Sequence, residues 1–229
     1  MQKILFCGGG SGGHLAPSIA VWQAVQAIEP ETKALFICSS RREDRALLEK
    51  YGVEARRIHA PKLGGVLYFC VFPFLFPLAC LESLYTLLSF RPSVIFAKGG
   101  FVTVPVVIVG FLLRIPIVIH ESDSSLGRAN GCLLRFANHL CIGAPQKELT
   151  SHKGLSRRTL TVTATGNPIR RELFNGSADA GIAHLRATPD SFPPRQKDCR
   201  VRGAAEFRQH QGHQHLCFLS HARPWPVPA

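Results

Sequence analysis

A glycine-rich segment near the start of the chain has the residue types and spacing of an anion site. Residues 3–7 have the composition of a short buried strand, and the run GGGSGG at residues 8–13 follows it. A helix is predicted to begin at His14. Backbone N–H groups point outward from such a turn, and the helix dipole adds partial positive charge there. This arrangement predicts binding of an anion, most often a phosphate.

The same glycines are compatible with more than one ligand. Gly8, Gly10 and Gly13 satisfy the G-x-G-x-x-G pattern of dinucleotide-binding enzymes. Arg41 and Arg42 stand where those enzymes usually carry an acidic residue for the ribose. Because arginines there are compatible with NADP, an NADP-dependent oxidoreductase stays open as a less favoured alternative. No G-K-[ST] follows the glycines, which excludes a P-loop.

Three further polar or glycine-rich segments each follow a predicted strand. They are KGGFVTVP from Lys98, HESDSSLG from His120 and ATGNPIRREL from Ala164. The carboxyl ends of parallel strands meet at one edge of a sheet, so we expect all four segments to converge there. Two glycine turns beside polar groups predict a diphosphate ligand. Any one glycine turn alone is equally well explained as a tight turn without a ligand.

The elements that must position these segments alternate along residues 1–175. Strands are predicted at residues 3–7, 34–39, 55–59, 93–97, 116–120, 139–142 and 159–163. Helices are predicted at residues 14–28, 41–50, 74–90, 104–113, 127–136 and 146–151. Short apolar strands that alternate with helices indicate an α/β fold, a Rossmann-like parallel sheet covered on both faces.

Composition limits the classes of partner. The chain has 229 residues, 46% of them apolar, and a formal net charge of +12. This charge favours acidic partners such as anionic lipid or a phosphorylated substrate. We expect no nucleic acid partner, because the basic residues are scattered and match no recognised motif. No signal peptide is expected before the first strand.

The cysteines and histidines predict neither a disulfide framework nor a metal site. None of the eight cysteines forms a C-x-x-C pair, and several lie in apolar patterns, which is typical of buried reduced thiols. The spacing of the histidines near the C-terminus matches no zinc pattern. We therefore expect no metal and no cofactor.

The segment at residues 66–81, VLYFCVFPFLFPLACL, carries no charge. It is too short to span a bilayer comfortably, and we expect Pro73 and Pro77 to interrupt it and Glu82 to end it. One interpretation is an apolar patch that faces a membrane, flanked by Lys62 and Arg91. The other is a buried loop followed by a core helix.

The four motifs, in this order and spacing, resemble the N-terminal domain of the MurG family over roughly residues 1–180. Members of this family are bacterial N-acetylglucosaminyltransferases with a two-domain GT-B fold. The resemblance implies an inverting transfer of GlcNAc from UDP-GlcNAc to undecaprenyl-diphosphate-linked N-acetylmuramoyl-pentapeptide (lipid I), which forms lipid II. It also implies peripheral binding to the anionic cytoplasmic face of the bacterial membrane.

The resemblance also implies roles for individual residues. The donor contacts fall on Ser11, Gly12, Gly13, Asp123 and Arg170, although the family more often has threonine and asparagine at positions 11 and 123. The glycine turns and their cation, expected near the acceptor diphosphate, comprise Gly9, Gly10, Lys98, Gly99 and Gly100.

The transfer reaction needs a base for the attacking hydroxyl, and three residues are candidates. His14 is the first, because imidazole titrates near neutral pH and a helix N-terminus disfavours its charged form. His120 with Glu121 is the second candidate. Alternatively, His14 only contacts the ligand at the start of the helix.

The family pattern stops near residue 181, which predicts an acceptor-binding domain at residues 1–180 and an irregular tail at residues 181–229. The tail has the composition expected of a frameshifted or truncated reading, without the donor-binding domain. We therefore expect the chain alone to be weakly active or inactive. The alternative is a non-catalytic module that binds lipid diphosphate or membranes.

Overall fold

A computed structural model describes residues 1–9, 12–60, 66–123, 125–143 and 160–174. Its strands are β1 (Lys3–Gly8), β2 (Lys33–Cys38), β3 (Ala55–Arg57), β4 (Val94–Gly99), β5 (Ile117–Glu121), β6 (His139–Ile142) and β7 (Thr161–Ala164). Its α-helices are α1 (Gly12–Ile28), α2 (Arg42–Lys50), α3 (Val66–Phe90), α4 (Thr103–Leu112) and α5 (Arg128–Leu133). Short 3₁₀ helices follow at Leu134–Phe136 and Arg171–Phe174.

The strands form one parallel sheet in the order β3-β2-β1-β4-β5-β6-β7. This confirms the predicted α/β, Rossmann-like fold. The chain builds outward from β1 to β3 and then from β4 to β7, so its direction reverses between β1 and β4. Ligands of such sheets bind beyond the carboxyl ends of the strands at this reversal. Both glycine turns follow the two strands that border it.

The two faces of the sheet are packed with different side chains. Phe6 of β1 stacks on Phe36 of β2 with ring centroids 4.7 Å apart, and Trp22 of α1 meets its edge at 6.3 Å. On the opposite face, Leu5 belongs to an aliphatic cluster with Val106 of α4. Alternate strand residues point to opposite faces, so strands buried on both faces are apolar throughout.

For the described elements, the predicted boundaries agree with the observed ones to within about three residues, except that α3 begins eight residues before its predicted start. The helix predicted at residues 127–136 is divided into α5 and a 3₁₀ turn. The helix predicted at residues 146–151 and the tail from residue 181 lie outside the described residues. One compact unit spans Met1–Arg171, and a second unit begins at Glu172. The domain boundary at residue 180 stays a prediction.

Helix α3 differs most from the sequence-based expectation. The helix begins at Val66, eight residues before the predicted start at residue 74, and continues without a break through Pro73 and Pro77 to Phe90, so the prediction that the prolines interrupt this segment is wrong. Each proline removes one N–H donor from the helix. Ala79, Ser83 and Leu87 are all buried on one side, so packing of this side stabilises the helical conformation despite the prolines.

An exposed apolar stripe runs along the other side of α3. We define the α3 stripe as the large apolar side chains that recur there every three or four residues: Val71, Phe74, Leu78, Leu81, Tyr85 and Leu88. Within the described residues, the span Val71–Phe90 is the one helix long and apolar enough to cross a membrane by length and composition. The interpretation as a buried loop is therefore wrong, and α3 is a core helix on one side and an open apolar surface on the other.

The two glycine turns lie directly against each other. A Cβ atom placed on Gly100 would lie 2.5 Å from the backbone oxygen of Gly9, which is well inside van der Waals contact. Gly100 also has φ +87°, a conformation that L side chains rarely adopt. This position therefore requires glycine for two independent reasons.

Buried His120 joins β5 to the segment that follows β7. Its side chain is 2% exposed, and Nε2 donates a hydrogen bond of 3.2 Å to the backbone oxygen of Gly166. Burial lowers the pKa of His120 to about 4, and the charge of Lys98 acts in the same direction. The imidazole is therefore neutral at pH 7, and its hydrogen bond connects β5 to the segment after β7.

We expect Gly100→Ala to lower the free energy of unfolding by about 3 kcal/mol, since backbone strain and close packing both oppose a Cβ atom. Gly52→Ala is the matched control, because Gly52 has φ +61° and open space around its Cβ position. The control should lose only about 1 kcal/mol. Urea unfolding of both variants measures the difference, and equal losses would contradict the close contact of the two turns.

We expect the folded state to lose stability as the pH falls from about 6.5 towards 4, the interval between the pKa of an unfolded histidine and that of His120. In this interval the unfolded chain binds a proton that the folded chain does not. The free energy of unfolding should decrease between pH 7 and pH 5 in the parent chain. In His120→Gln this decrease should be about 2 kcal/mol smaller. Equal decreases would show that His120 is not neutral in the fold.

Candidate functional site

The site lies at the carboxyl ends of β1, β4 and β5, where the sheet order reverses. Gly8 pairs with Gly99 across β1 and β4, and the register shifts between Cys7 and Gly8. A Cβ atom on Gly8 would meet the Cβ atoms of Lys98 and His14 at 3.4 and 3.5 Å. Gly8 therefore packs directly against Lys98 and His14, two of the predicted site residues.

His14 lies in the first turn of α1 and faces the second glycine turn. Its Cδ2 and Nε2 atoms are 3.3 and 3.6 Å from the position of a Cβ atom on Gly100. The ring also forms a hydrogen bond with the backbone of Lys98. Burial and the charge of Lys98 lower the pKa of His14, and the carboxylates of Glu121 and Asp123 partly oppose this effect. His14 is therefore neutral at pH 7 and able to accept a proton.

Lys98 is a cation inside the protein, at the end of β4. Its side chain is only 3% exposed. Burial lowers its pKa, and the carboxylates of Glu121 and Asp123 raise it. A partly desolvated ammonium group beside two glycine turns is suited to binding an anion, because its charge is weakly screened there.

Glu121 is an ionised carboxylate that is already hydrogen-bonded on both oxygens. Oε1 accepts a hydrogen bond of 3.1 Å from the backbone of Asp123, and Oε2 accepts one of 2.9 Å from the backbone of Gly127. Asn130 Nδ2 donates a third, of 3.0 Å, to Oε2. Burial raises the pKa of Glu121, but these bonds and Lys98 outweigh it and lower the pKa overall. These contacts leave the carboxylate poorly suited to accept a proton at pH 7.

The structure brings together most of the predicted site residues. His14, Lys98, Gly99, Gly100 and Gly9 lie together at the edge of the sheet. Glu121 and Asp123 act on the same groups electrostatically. Gly12 and Gly13 form the start of α1, whereas Gly10 and Ser11 lie outside the described residues.

Two candidates are placed differently from the rest. His120 is buried and bonded to Gly166, so its ring serves the packing of the sheet edge rather than an open site. Arg170 donates a hydrogen bond of 2.9 Å to the Tyr51 hydroxyl at the end of α2. Arg171 beside it bonds to Gln23, which is about 13 Å further along α1 than His14. In the described conformation, the guanidinium of Arg170 is therefore engaged with α2.

Sequence reasoning did not identify two buried polar groups that support the turns. Asn130 lies against Gly99, with Oδ1 3.0 Å from the position of a Cβ atom there. Ser39 donates a short hydrogen bond of 2.5 Å to Asp44 Oδ2, and this oxygen lies 2.9 Å from the Cβ position of Gly9. The sequence showed Asn130 and Asp44 only as polar residues in the first turn of a predicted helix. Solvent-exposed capping residues occur at the same positions, so the sequence did not distinguish these buried residues from them.

No group of three or more metal-ligating side chains occurs in the part of the chain that the structure describes. The described cysteines Cys7, Cys38, Cys80, Cys132 and Cys141 are all free. Burial raises the pKa of the Cys38 thiol to about 11, so this thiol is protonated at pH 7.

Comparison with known proteins identifies relatives of this sheet. Residues 4–142 match the glycosyltransferase family 28 N-terminal domain. A relative from Treponema pallidum (strain Nichols) is 38% identical over 187 residues, which cover 80% of this chain and 47% of the relative. It is named UDP-N-acetylglucosamine--N-acetylmuramyl-(pentapeptide) pyrophosphoryl-undecaprenol N-acetylglucosamine transferase. A Bacillus cereus (strain ATCC 14579) protein, named as transferase 2 of the same activity, is 36% identical over 191 residues, with coverages of 81% and 51%.

Solved structures share the fold at lower sequence identity. Acinetobacter baumannii MurG has a TM-score of 0.58 and 22% identity, with 75% of this chain and 47% of that chain covered. UDP-GlcNAc 2-epimerase from Neisseria meningitidis has a TM-score of 0.59 and 13% identity, with coverages of 81% and 52%. This chain spans about half the length of the relatives it matches.

These matches confirm the resemblance to the MurG family that the four motifs indicated. Since the matching segment, residues 4–142, covers more than half of the 229 residues, the chain belongs to the family of the glycosyltransferase family 28 N-terminal domain.

Proposed function

We propose that this chain is the acceptor-binding half of an N-acetylglucosaminyltransferase of peptidoglycan synthesis. The reaction transfers GlcNAc from UDP-GlcNAc to lipid I with inversion at the anomeric carbon and yields lipid II. The observation that supports this proposal best is the contact between the two glycine turns, with His14 and Lys98 both packed against Gly8. The named activity of relatives at 36–38% identity supports it independently.

The glycine turns and Lys98 bind the acceptor diphosphate in this proposal. Gly9, Gly99 and Gly100 offer backbone N–H groups without side chains in the way, and Lys98 supplies a cation that Glu121 and Asp123 help to keep protonated. Gly10, which lies outside the described residues, stays a predicted member of this group. The acceptor diphosphate carries its negative charge next to the sugar that reacts. Its binding therefore positions that sugar at the edge of the sheet, beside the ring of His14.

His14 acts as the base for the attacking hydroxyl. A bond forms between the C4 oxygen of the N-acetylmuramoyl unit and the anomeric carbon of GlcNAc, while the bond from that carbon to the UDP oxygen breaks. The hydroxyl proton passes to His14, which its lowered pKa keeps neutral at pH 7. The electron pair of the broken bond leaves with UDP, so the atoms and charges of this step balance without a cofactor or metal.

The donor contacts stay predictions for individual residues. Ser11, Gly12 and Gly13 would face the UDP-GlcNAc diphosphate at the start of α1, where the helix dipole favours an anion. Asp123 lies near Lys98 and His14 and can accept hydrogen bonds from a sugar hydroxyl. Arg170 would have to release the Tyr51 hydroxyl before it could reach a ligand.

The α3 stripe binds the membrane surface in this proposal, on the cytoplasmic side where lipid I is made available. Six large apolar side chains along one side of a helix form a surface that water solvates poorly. Arg56 lies 5.8 Å from the ring of Tyr85, so a cation borders the stripe and can meet anionic headgroups. The undecaprenyl chain keeps the acceptor in the membrane, so the enzyme must bind the membrane surface to reach the acceptor.

A transfer assay with radiolabelled UDP-GlcNAc and a lipid I analogue tests the proposed reaction. The chain is assayed alone and joined to the C-terminal half of the Treponema pallidum relative. We expect transfer from the joined protein, and His14→Gln should reduce kcat by about 10²–10⁴-fold because the base is lost. Lys98→Met should raise KM by about tenfold, since a charged hydrogen bond to phosphate contributes about 1.5 kcal/mol.

Lys33→Met is the matched control for Lys98→Met, because it removes the same charge from an exposed position at the start of β2. Its kinetics should stay within twofold of the parent. Unchanged kcat in His14→Gln would exclude His14 as the base. Lipid diphosphate binding without transfer by a correctly folded joined protein would favour the non-catalytic membrane module.

Cosedimentation with vesicles of phosphatidylglycerol and phosphatidylethanolamine tests the α3 stripe. Phe74 is 76% exposed, and Phe74→Asp should weaken vesicle binding at least tenfold because about 2 kcal/mol of apolar contact is lost. Ile28→Asp is the control, since Ile28 is an exposed apolar residue at the end of α1. Equal effects of the two substitutions would show that charge alone, and not the stripe, determines binding.

A further inference from the structure

The loop after β5 is folded around one carboxylate. Glu121 is 4% exposed, and its oxygens accept hydrogen bonds from the backbone N–H groups of Asp123 and Gly127. Gly127 is the residue that precedes α5, so Glu121 fixes both the start of this loop and its entry into the helix. The carboxylate thus determines where Asp123 lies relative to Lys98.

Asn130 links the same carboxylate to the second glycine turn. Its Nδ2 donates to Glu121 Oε2 at 3.0 Å and lies 3.4 Å from the backbone oxygen of His120. On its other side, the carboxamide fills the space that a side chain on Gly99 would need, with Oδ1 and Nδ2 3.0 and 3.1 Å from that Cβ position. Gly99 has φ +103°, a conformation that L side chains rarely adopt, so the turn needs glycine at this position.

We infer that Glu121 and Asn130 are positioning residues, which together hold the Gly99–Gly100 turn and the Asp123 loop in the geometry that binds ligand. Glu121 acts on the turn through Asn130 and does not exchange a proton with substrate. This role differs from that of a base, which was the sequence-based hypothesis for Glu121. Its consequence for ligand affinity rests on the proposed function.

Asn138→Ala provides a matched control, because the Asn138 side chain is bonded to the start of β5 and Glu121 lies at its end. Asn138 Oδ1 accepts a hydrogen bond of 2.9 Å from the backbone of Ile117, the first residue of β5. The control therefore removes an asparagine side chain that is hydrogen-bonded to β5, far from the glycine turns. It separates a general loss of stability from a specific effect on the site.

Amide hydrogen exchange in the 229-residue chain tests the first link. Glu121→Gln should increase exchange of the Asp123 and Gly127 amides by about tenfold, since the amide side chain offers only one acceptor oxygen. Asn138→Ala should increase exchange at Ile117 and leave those two amides within twofold. Unchanged exchange at both amides in Glu121→Gln would overturn the proposal.

A double-mutant cycle between Gly99→Ala and Asn130→Ala tests the second link. Removal of the Asn130 carboxamide opens space for a Cβ on residue 99, so the double variant should be more stable than additivity predicts. If the two effects were independent, the unfolding equilibrium constant would change by the product of the two single changes. We expect the constant of the double variant to be at least about fivefold smaller than that product predicts. Additive effects would overturn the proposal even if exchange increased, because Glu121 would then order only its own loop. If Gly99→Ala does not fold, restored folding in the double variant supports the link and continued failure contradicts it.

Binding of farnesyl diphosphate, a soluble short-chain polyprenyl diphosphate, separates this proposal from the proposed function. Glu121→Gln and Asn130→Ala should each weaken binding about fivefold or more, and Asn138→Ala should change it less than twofold. Parental affinity in both site variants would overturn the proposed role in ligand binding. If the parent chain does not bind the probe, the acceptor-binding proposal fails, and the exchange experiment and the cycle still decide whether these residues hold the turn.

Discussion

The contact between the two glycine turns is the constraint on which the rest of the site depends. It exists because β1 and β4, which are distant in sequence, are neighbours at the reversal of the sheet. Two backbones can approach this closely only where Cβ atoms are missing, as at Gly100 beside the Gly9 oxygen. The same absence of side chains leaves backbone N–H groups accessible. The packing that the reversal requires therefore also explains why we propose the anion site at these two turns.

Burial of charge explains how one small region holds both a cation and a neutral histidine. Desolvation of Lys98 disfavours its protonated form, and the carboxylates of Glu121 and Asp123 offset this cost. The retained charge of Lys98 then lowers the pKa of His14 beside it. Lys98, His14 and the two carboxylates thus form one electrostatic unit, in which the carboxylates raise the pKa of both Lys98 and His14 and the charge of Lys98 lowers the pKa of His14.

Much of this arrangement could be predicted from the sequence, because it follows from local pattern and topology. Apolar strands that alternate with helices determine a parallel sheet, and a parallel sheet brings the segments after its strands to one edge. The sequence predicts a helix at residues 74–90, but its unbroken extension back to Val66 could not be predicted in this way, because burial of Ala79 and Leu87 outweighs the local effect of Pro73 and Pro77. The local sequence pattern also did not predict the buried hydrogen bond of His120, because its partner Gly166 lies 46 residues away in the sequence.

Strand alternation then separates the roles of the polar residues at this edge. Gly8 lies two residues after Phe6, whose ring meets Trp22 of α1, and the Cβ atom of Lys98 is 3.4 Å from the Cβ position of Gly8. Lys98 therefore lies on the face that α1 covers. His14 lies in the first turn of α1 and meets Lys98 on that face. Glu121 follows His120 on β5 and points to the opposite face, where α5 presents Asn130. Lys98 and His14 therefore occupy one face of the sheet edge, and Glu121, which accepts hydrogen bonds from the backbone of the following loop, lies on the other.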